Sequence, residues 1–343
     1  MRVLITGAAG FIGSTLVDRL LSEGHQVVGV DNLSTGSATN LAHARKCNGR
    51  RLTRFSFVCA DIQAPELAGI VAGTNPDVVF HLAAQVDLRS SVADPIGDAR
   101  NNVLGTINLL EACQRARIER IVYAASGASR YGAPTSLPAN EDTPVEPLSP
   151  HAAAKLAAEL YLGAYAEMYG ISPISLALAN VYGPRQDPHG LSGAIAVFGG
   201  ALIAGRPVTI YGDGTAVRDY VYVDDVVDAF ICAARLPSEA MGTYNIGSGE
   251  QTTVNEVYRR VAAAVGVSSP PRYAAARTGE VHAIALDSTE AREDLGWKPS
   301  IKLVDGIQRT VHWLRGALET VPPALADARL SRSSWNLRWR SLA

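Results

Sequence analysis

The chain opens with an apolar run that passes directly into a glycine-spaced turn, MRVLITGAAGFIG, and this junction constrains what the rest can fold into. VLIT, residues 3 to 6, reads as a buried strand. The apolar spacing of STLVDRLLSEG, residues 14 to 24, predicts a helix ended by a glycine. GAAGFIG joins the two, and its glycines have separate mechanical reasons. Gly7 allows the tight turn, Gly10 lets backbone approach a pyrophosphate, and Gly13 lets the helix sit close on the strand. The helix start at Phe11 and Ile12 then turns unpaired N–H groups and a positive dipole end toward an anion.

Further apolar runs follow: QVVGVD (26 to 31), FSFVCAD (55 to 61), DVVFHLA (77 to 83), RIVYAAS (120 to 126) and SPISLALAN (172 to 180). Helix-length connections separate them, NLLEACQRARI (108 to 118) among them. Strands of this kind alternating with helices describe a parallel sheet covered on both faces, a Rossmann-type doubly wound α/β domain. Asp31 ends the second strand about 20 residues beyond the glycines, where a carboxylate accepts from an adenine ribose 2′-hydroxyl. That charge would repel a 2′-phosphate and favours NAD over NADP, against the contrary pull of Arg45, Arg50 and Arg51.

Beyond residue 180 the texture becomes loop-rich, with NVYGPRQDPHG, YGDGTAVRDY and YNIGSGEQ, and predicts a smaller C-terminal substrate domain. Helices are expected at VDDVVDAFICAAR (223 to 235) and TVNEVYRRVAAAVG (253 to 266). The expected division is a dinucleotide domain over 1–178 with return segments near 218–246, a substrate domain over 179–315, and a tail over 316–343. With 47% hydrophobic residues in 343, such a chain can bury a large core. Its net charge of -2 gives no field to draw nucleic acid or an anionic membrane. Cys47, Cys59, Cys113 and Cys232 lie far apart, which fits reduced thiols better than a disulfide or zinc framework. With no signal peptide and no spanning run, a cytoplasmic protein is expected.

The glycine turn, DNLSTG (31 to 36), ADI (60 to 62), FHLAAQ (80 to 85), NNVLGT (101 to 106), RYGAP (130 to 134), ANVYGPRQDPHG (179 to 190), YGDG, VRDYVYVDDV and RTGE (277 to 280) occur in order. This series resembles the extended short-chain dehydrogenase/reductase family, its NAD-dependent epimerase/dehydratase branch, and within that the bacterial UDP-glucose 4-epimerases. The resemblance covers about residues 1 to 315. It implies that Asn32, Thr35 and Gly36 join Asp31 at the adenosine end, that Asp61 and Ile62 contact adenine, that Leu82, Ala83, Ala84 and Gln85 line the cofactor cleft, and that Asn102 helps to hold it. A homodimer through a helix pair including 101–116 and 151–168 is implied as well.

Enzymes of this kind move a hydride between a sugar carbon and NAD while a tyrosine in YxxxK takes the hydroxyl proton. Here the sequence is SPHAAAKLAAE: Lys155 is retained, and His151 stands where the tyrosine would be. Spacing of i, i+4 keeps both on one helix face. A free imidazole, with a pKa of about 6.5, needs no strong activation, and an ammonium beside it holds it neutral. It ends roughly two bond lengths short of a phenol oxygen, so it reaches a hydroxyl directly only if the substrate sits deeper, or else through water. The other reading makes His151 a substrate contact and puts the base elsewhere, Tyr131 being one candidate.

In AASGASRYG the position at which the family carries a hydrogen-bonding Ser or Thr falls on Gly127, with Ser126 and Ser129 beside it. On the substrate side the resemblance implies a small molecule, a nucleotide-linked sugar or a nucleoside. Asn180, Arg218 and Arg277 would meet phosphates or sugar, Glu280 the ribose, and Tyr211 the base, with Phe198 in a neighbouring loop and Asp87 in a polar group with Gln85 and Arg89. C4 epimerisation, dehydration or oxidoreduction by a relative of secondary metabolism, and a non-catalytic NAD-binding protein are the readings open at this point.

Overall fold

The computed structural model describes residues 1–47, 54–190, 193–276 and 281–319. Strands β1 (Arg2–Thr6), β2 (Gln26–Asp31), β3 (Phe55–Cys59), β4 (Val78–His81), β5 (Arg120–Ser126), β6 (Ser172–Leu178) and β7 (Gly242–Ile246) form one sheet in the order β7-β6-β5-β4-β1-β2-β3. Every neighbouring pair is parallel. Because successive side chains alternate across the sheet, β1 sends Val3 and Ile5 to one core and Leu4 to the other. The first core lies under the helices Phe11–Ser22 and Val223–Ala234, and the second under Leu67–Thr74, Gly105–Arg115 and Pro150–Tyr169. Each fully buried aliphatic side chain in these layers contributes about 1.5–3 kcal/mol.

Six central strands are legible as apolar runs, and the seventh is not. GTYNI alternates Tyr and Ile with polar residues and sits inside a stretch that reads as loop. It becomes a strand because it pairs with β6 in register, Tyr244 opposite Leu176, and its Tyr244 and Ile246 are buried. Strand order reverses beside β1, whose neighbours are β2 and β4, so a crevice opens at the carboxyl ends of β1 and β4.

Two helices bring side chains to that crevice. The segment Pro95–Ala99, capped by Asp94 accepting from Gly97 N–H, passes through a π turn at Arg100–Leu104 into Gly105–Arg115. A π turn widens the helix by one residue and re-aims the side chains within it, Asn102 here. Pro150–Tyr169 has its signals in the sequence: Ser149 caps it by accepting from Ala152 N–H at 3.1 Å, proline takes the first turn, and Gly170 closes it at φ 70°.

The smaller lobe contains the short strand pairs Asn180–Tyr182 with Tyr220–Tyr222, Val217–Arg218 with Thr252–Thr253, and Thr209–Tyr211 with Arg272–Ala274. Helices Ala194–Ile203, Val254–Val265 and Leu303–Glu319 pack around Ile195, Leu202, Val257, Val261 and Ile307. Phe198 is a correction. Expected in a loop, it lies within the first of these helices, buried against Tyr258 with ring centroids 6.0 Å apart. The last described helix runs past residue 316, the expected start of the tail, and the remainder of that tail lies outside the described residues. No helix among the described residues is long and apolar enough to cross a membrane.

The seating of the first helix is testable. A Cβ on Gly13 would lie 2.1 Å from the Gly7 carbonyl oxygen, whereas one on Gly69, at an exposed position of the helix Leu67–Thr74, would meet nothing within 4 Å. Gly13→Ala should destabilise by about 1–3 kcal/mol or more, and Gly69→Ala should stabilise by up to about 1 kcal/mol. Thermal melting of the two variants should therefore shift in opposite directions.

Candidate active site

The turn after β1 is built for a close-lying group. Gly7 adopts φ 72°, its N–H donates to Val30 O at 2.9 Å, and a Cβ on it would be 2.7 Å from Ala83 N. Gly10 caps the helix Phe11–Ser22 with no side chain, and the first turn holds no acid. The N–H groups of Phe11, Ile12 and Gly13 are thus left to an outside acceptor, at the positive end of a 12-residue helix. Asp31 is buried at the tip of β2, accepting from Ala9 N–H at 2.9 Å and Leu33 N–H at 2.7 Å. Burial pushes its carboxyl up while these two donors pull it back. Gly36 packs on it: a Cβ there would stand 3.0 Å from both carboxylate oxygens.

Beside this, Asn32 donates to Asp61 at 2.7 Å, and Asp61 also accepts from Gln63 N–H, which ties the ends of β2 and β3 together. Thr35 is exposed in the loop, and Ile62 is buried against Gly105. Under the crevice, Leu82 N–H donates to Thr6 O and Ala83 N–H to Thr6 Oγ1. His81, fully buried, spans Thr6 Oγ1 at 2.7 Å and Thr106 Oγ1 at 2.9 Å. Thr106 Oγ1 donates to Asn102 O, so it accepts from His81 Nε2–H, and Nδ1 accepts from Thr6. That neutral tautomer is held by burial, which brings the imidazole down to about 3, with Lys155 adding to the effect.

Above this layer Ala84 is half-buried, and Asn102 and Gln85 lock together. Asn102 Oδ1 accepts from Gln85 N–H at 2.8 Å, and Asn102 Nδ2 donates to Gln85 O at 3.0 Å and to Asp98 Oδ1 at 3.1 Å. Gln85 Nε2 donates to Asp98 Oδ1 at 3.1 Å and to Asp87 O, while its Oε1 accepts from Asp87 N–H. Asp87 caps the helix Leu88–Ala93, accepting from Arg89 N–H and Ser90 Oγ. His151 Nδ1 lies 3.4 Å from Asn102 Nδ2 and 3.6 Å from Asp98 Oδ1. Burial first, and Lys155 second, pull this imidazole down to about 4.

Lys155 is buried where its helix crosses β5. Its Nζ donates to Ala124 O at 2.7 Å and sits 4.1 Å over the Tyr123 ring. Burial lowers its ammonium to about 8, with Glu159 and Asp98 opposing. Glu159 is itself held by Arg130 at 2.6 Å.

At the end of β5, Ser126 faces a small cavity of about 70 Å³ lined also by Ala128, Ala179, Asn180, Asp219 and Leu286. Its Oγ accepts from Ser129 N–H at 3.3 Å, and Ser129 is itself buried in the turn of helix Gly127–Tyr131. Gly127 has a steric reason, since a Cβ there would come within 2.7 Å of the Leu286 side chain. A serine at that position fits only if Leu286 moves. Tyr131 is a correction to its reading as an acid or base: it is buried, donates to Asn245 Oδ1 at 2.8 Å, and is pushed up to about 12 by burial.

On the substrate side Arg218 Nη1 donates to Val217 O and His282 O. Tyr211 is exposed at the edge of the small lobe. Arg277 and Glu280 lie outside the described residues, as do Arg50 and Arg51, while Arg45 stacks over Phe57. Sequence reasoning misses Asp98, His81 and Asp219. Asp219 accepts from Ser248 N–H and Oγ, Gly249 N–H and Leu286 N–H, and so fastens three segments around the cavity. The only trace of Asp98 in the sequence is its place one helical turn before Asn102.

A reversed strand order with an uncapped, acid-free helix start at the crevice defines a dinucleotide-dependent enzyme of Rossmann type. Residues 3–247 match the NAD dependent epimerase/dehydratase family. The chain belongs to that family, and NAD is its cofactor. It is 49% identical to a UDP-glucose 4-epimerase of Mycolicibacterium smegmatis over 92% of this chain and 99% of that one. The UDP-glucose 4-epimerase of Thermotoga maritima, solved with UDP-glucose, superposes with a TM-score of 0.87 at 39% identity, over 93% of this chain and all (100%) of the other. That of Thermus thermophilus, solved with NAD, gives 0.85 at 40% identity, over 92% and 100%. These relatives are epimerases, and the chain shares their reaction class, that of an NAD-dependent isomerase.

Both buried imidazoles couple stability to pH. Free imidazole titrates at 6.5, and the folded values are about 3 for His81 and about 4 for His151. Below 6.5 the unfolded chain therefore binds protons that the folded chain refuses. The stability contributed by neutral burial is complete above that pH and is lost as pH falls toward the folded values, by up to about 1.4 kcal/mol per pH unit for each group. Urea unfolding should show stability falling from pH 7 to pH 5, and His81→Gln should flatten the slope. An equal slope in the variant would contradict the assignment.

Proposed function

We propose that the protein is a nucleotide-sugar 4-epimerase acting on a UDP-sugar, with His151 taking the place of the family tyrosine as proton acceptor. The observation that carries this reading is His151 itself: neutral, four residues before a buried Lys155, and next to the Asn102 and Gln85 pair at the crevice. Bound NAD supplies the hydride acceptor and donor for the sugar carbon. The residues of the crevice fit it. Phe11, Ile12 and Gly13 N–H groups receive the pyrophosphate, and Asp31 with Asn32, Thr35 and Gly36 receives the adenosine ribose. Asp61 and Ile62 border the adenine, Leu82, Ala83, Ala84, Gln85 and Asn102 line the cleft, and Lys155 holds the nicotinamide ribose.

An imidazole below the solvent pH is a free base, ready to accept the carbinol proton and to return it from the other side of the cycle. Ser126, at the cavity, orients the hydroxyl. Asn180 and Arg218 meet the diphosphate, Tyr211 the base, and Arg277 and Glu280 complete that side. Asp87 holds the Gln85 loop. The elimination reading has less support, since AASGASRYG carries no acidic pair to protonate a leaving hydroxyl.

The protein acts as a homodimer in this reading. Leu104, Leu160, Tyr161, Met168 and Tyr169 are exposed on the two helices beside the crevice, a concentration of apolar surface that a second copy would cover. Leu160→Glu should convert a dimer into a monomer in light scattering, and a wild-type monomer would reject the proposal.

Purified protein should interconvert UDP-glucose and UDP-galactose, and His151→Ala should lower that rate about 100-fold or more while retaining NAD. Absence of turnover with any UDP-sugar despite bound NAD would reject the function. Loss of one water from the product would replace it with a dehydratase.

A further inference from the structure

We infer that Asp98 is the positioning residue of His151, the two forming a carboxylate–imidazole dyad that leaves Nε2 bare toward the substrate hydroxyl. The inference rests on the proposed reading of His151 as the base, and goes beyond it by assigning the tautomer and the group that sets it.

The assignment follows from counting hydrogens. The Asn102 amide cannot be flipped, because its Oδ1 accepts from Gln85 N–H at 2.8 Å and its Nδ2 donates to Gln85 O at 3.0 Å. The second N–H of Nδ2 goes to Asp98 Oδ1 at 3.1 Å. An amide nitrogen has two hydrogens, so Asn102, although 3.4 Å from His151 Nδ1, has none left to give it. His151 Nδ1 therefore carries its own hydrogen, and the acceptor in reach is Asp98, whose Oδ1 is 3.6 Å away. Asp98 Oδ1 already receives Gln85 and Asn102, while its Oδ2 is buried with no hydrogen-bond partner, in a residue only 2% exposed. A hydrogen on His151 Nδ1 is the donor that this carboxylate lacks.

The consequence is chemical. With the hydrogen on Nδ1, the lone pair is on Nε2, which would take the carbinol proton, while NAD, when bound, would supply the acceptor for the hydride that the sugar carbon gives up. The resulting imidazolium lies beside the Asp98 carboxylate, which offsets the repulsion of Lys155. Of the charged groups facing the ring among the described residues, Lys155 lowers the imidazole and Asp87 raises it, while Asp98 lies beside Nδ1 at 3.6 Å. A phenol needs no such partner, whereas an imidazole in the wrong tautomer blocks its own base.

Asp98→Asn separates these ideas because it keeps shape while removing the charge and replacing one acceptor oxygen by an N–H donor. Its carbonyl takes the Asp98 Oδ1 place between Gln85 and Asn102, and its amide then points hydrogens at His151 Nδ1, which forces the proton to Nε2. An Asp to Asn exchange of this kind preserves geometry and reverses the tautomer. With NAD bound, nitrogen-15 spectra of histidine should show His151 protonated at Nδ1 in wild type and at Nε2 in Asp98→Asn. Turnover should fall about 100-fold or more with KM within a few-fold, and in a His151→Tyr background the same exchange should cost less than about 5-fold. An unchanged spectrum and rate in Asp98→Asn, while His151→Ala is inactive, overturns the dyad and leaves His151 as base. Equal losses in the His151→Tyr background overturn it in favour of a structural role for Asp98. Full activity of His151→Ala overturns the underlying reading and the dyad with it.

Discussion

One buried ammonium organises the charges of the crevice. Lys155 is 6% exposed, fixed to the Ala124 carbonyl at the end of β5 and laid on the Tyr123 ring. A lone ammonium in such a place would lose its proton, and burial does bring it down to about 8. Glu159 and Asp98 keep it charged, and Glu159 is in turn stabilised by Arg130. Burial holds His81 and His151 neutral, and the same positive charge adds to the effect. Removing one partner of such a set leaves an uncompensated buried charge, which costs about 3–5 kcal/mol. Positive charge at one end of the network and negative charge at the other are therefore maintained together.

The fold is largely legible in the sequence because its signals are local. Glycine spacing after β1, the Ser149-Pro150 start and the Gly170 stop of the long helix each encode backbone geometry within a few residues. β7 is hidden because its pairing comes from β6 and its cover from the helix Thr289–Asp294, both far from it in sequence. Phe198 reads as loop for the same reason: Gly199 and Gly200 interrupt the helical pattern, yet the helix forms over them by packing on Leu314 and Pro188.

The candidate site divides along the same line. The dinucleotide turn and the His151, Lys155 pair are short-range patterns, and the structure brings them to one crevice. Asp98 and Asn102 stand one helical turn apart, but no spacing rule relates that pair to Gln85 in its loop or to His151 on a second helix. Gly127 reads as a lost catalytic position until Leu286, from the far end of the chain, is seen filling the space a side chain would need. An altered residue in one element is thus matched by a residue in another, and the chemistry is reshaped rather than deleted.

The central claim is that a neutral imidazole does the work of a phenolate in this family's crevice. Its most direct test is a crystal structure of the protein with NAD and a UDP-sugar. The account predicts His151 Nε2 within about 2.6–3.2 Å of the sugar 4-hydroxyl, or joined to it through one water. It would be contradicted by a sugar whose 4-hydroxyl meets Ser126 and solvent alone, with the His151 ring turned away from it.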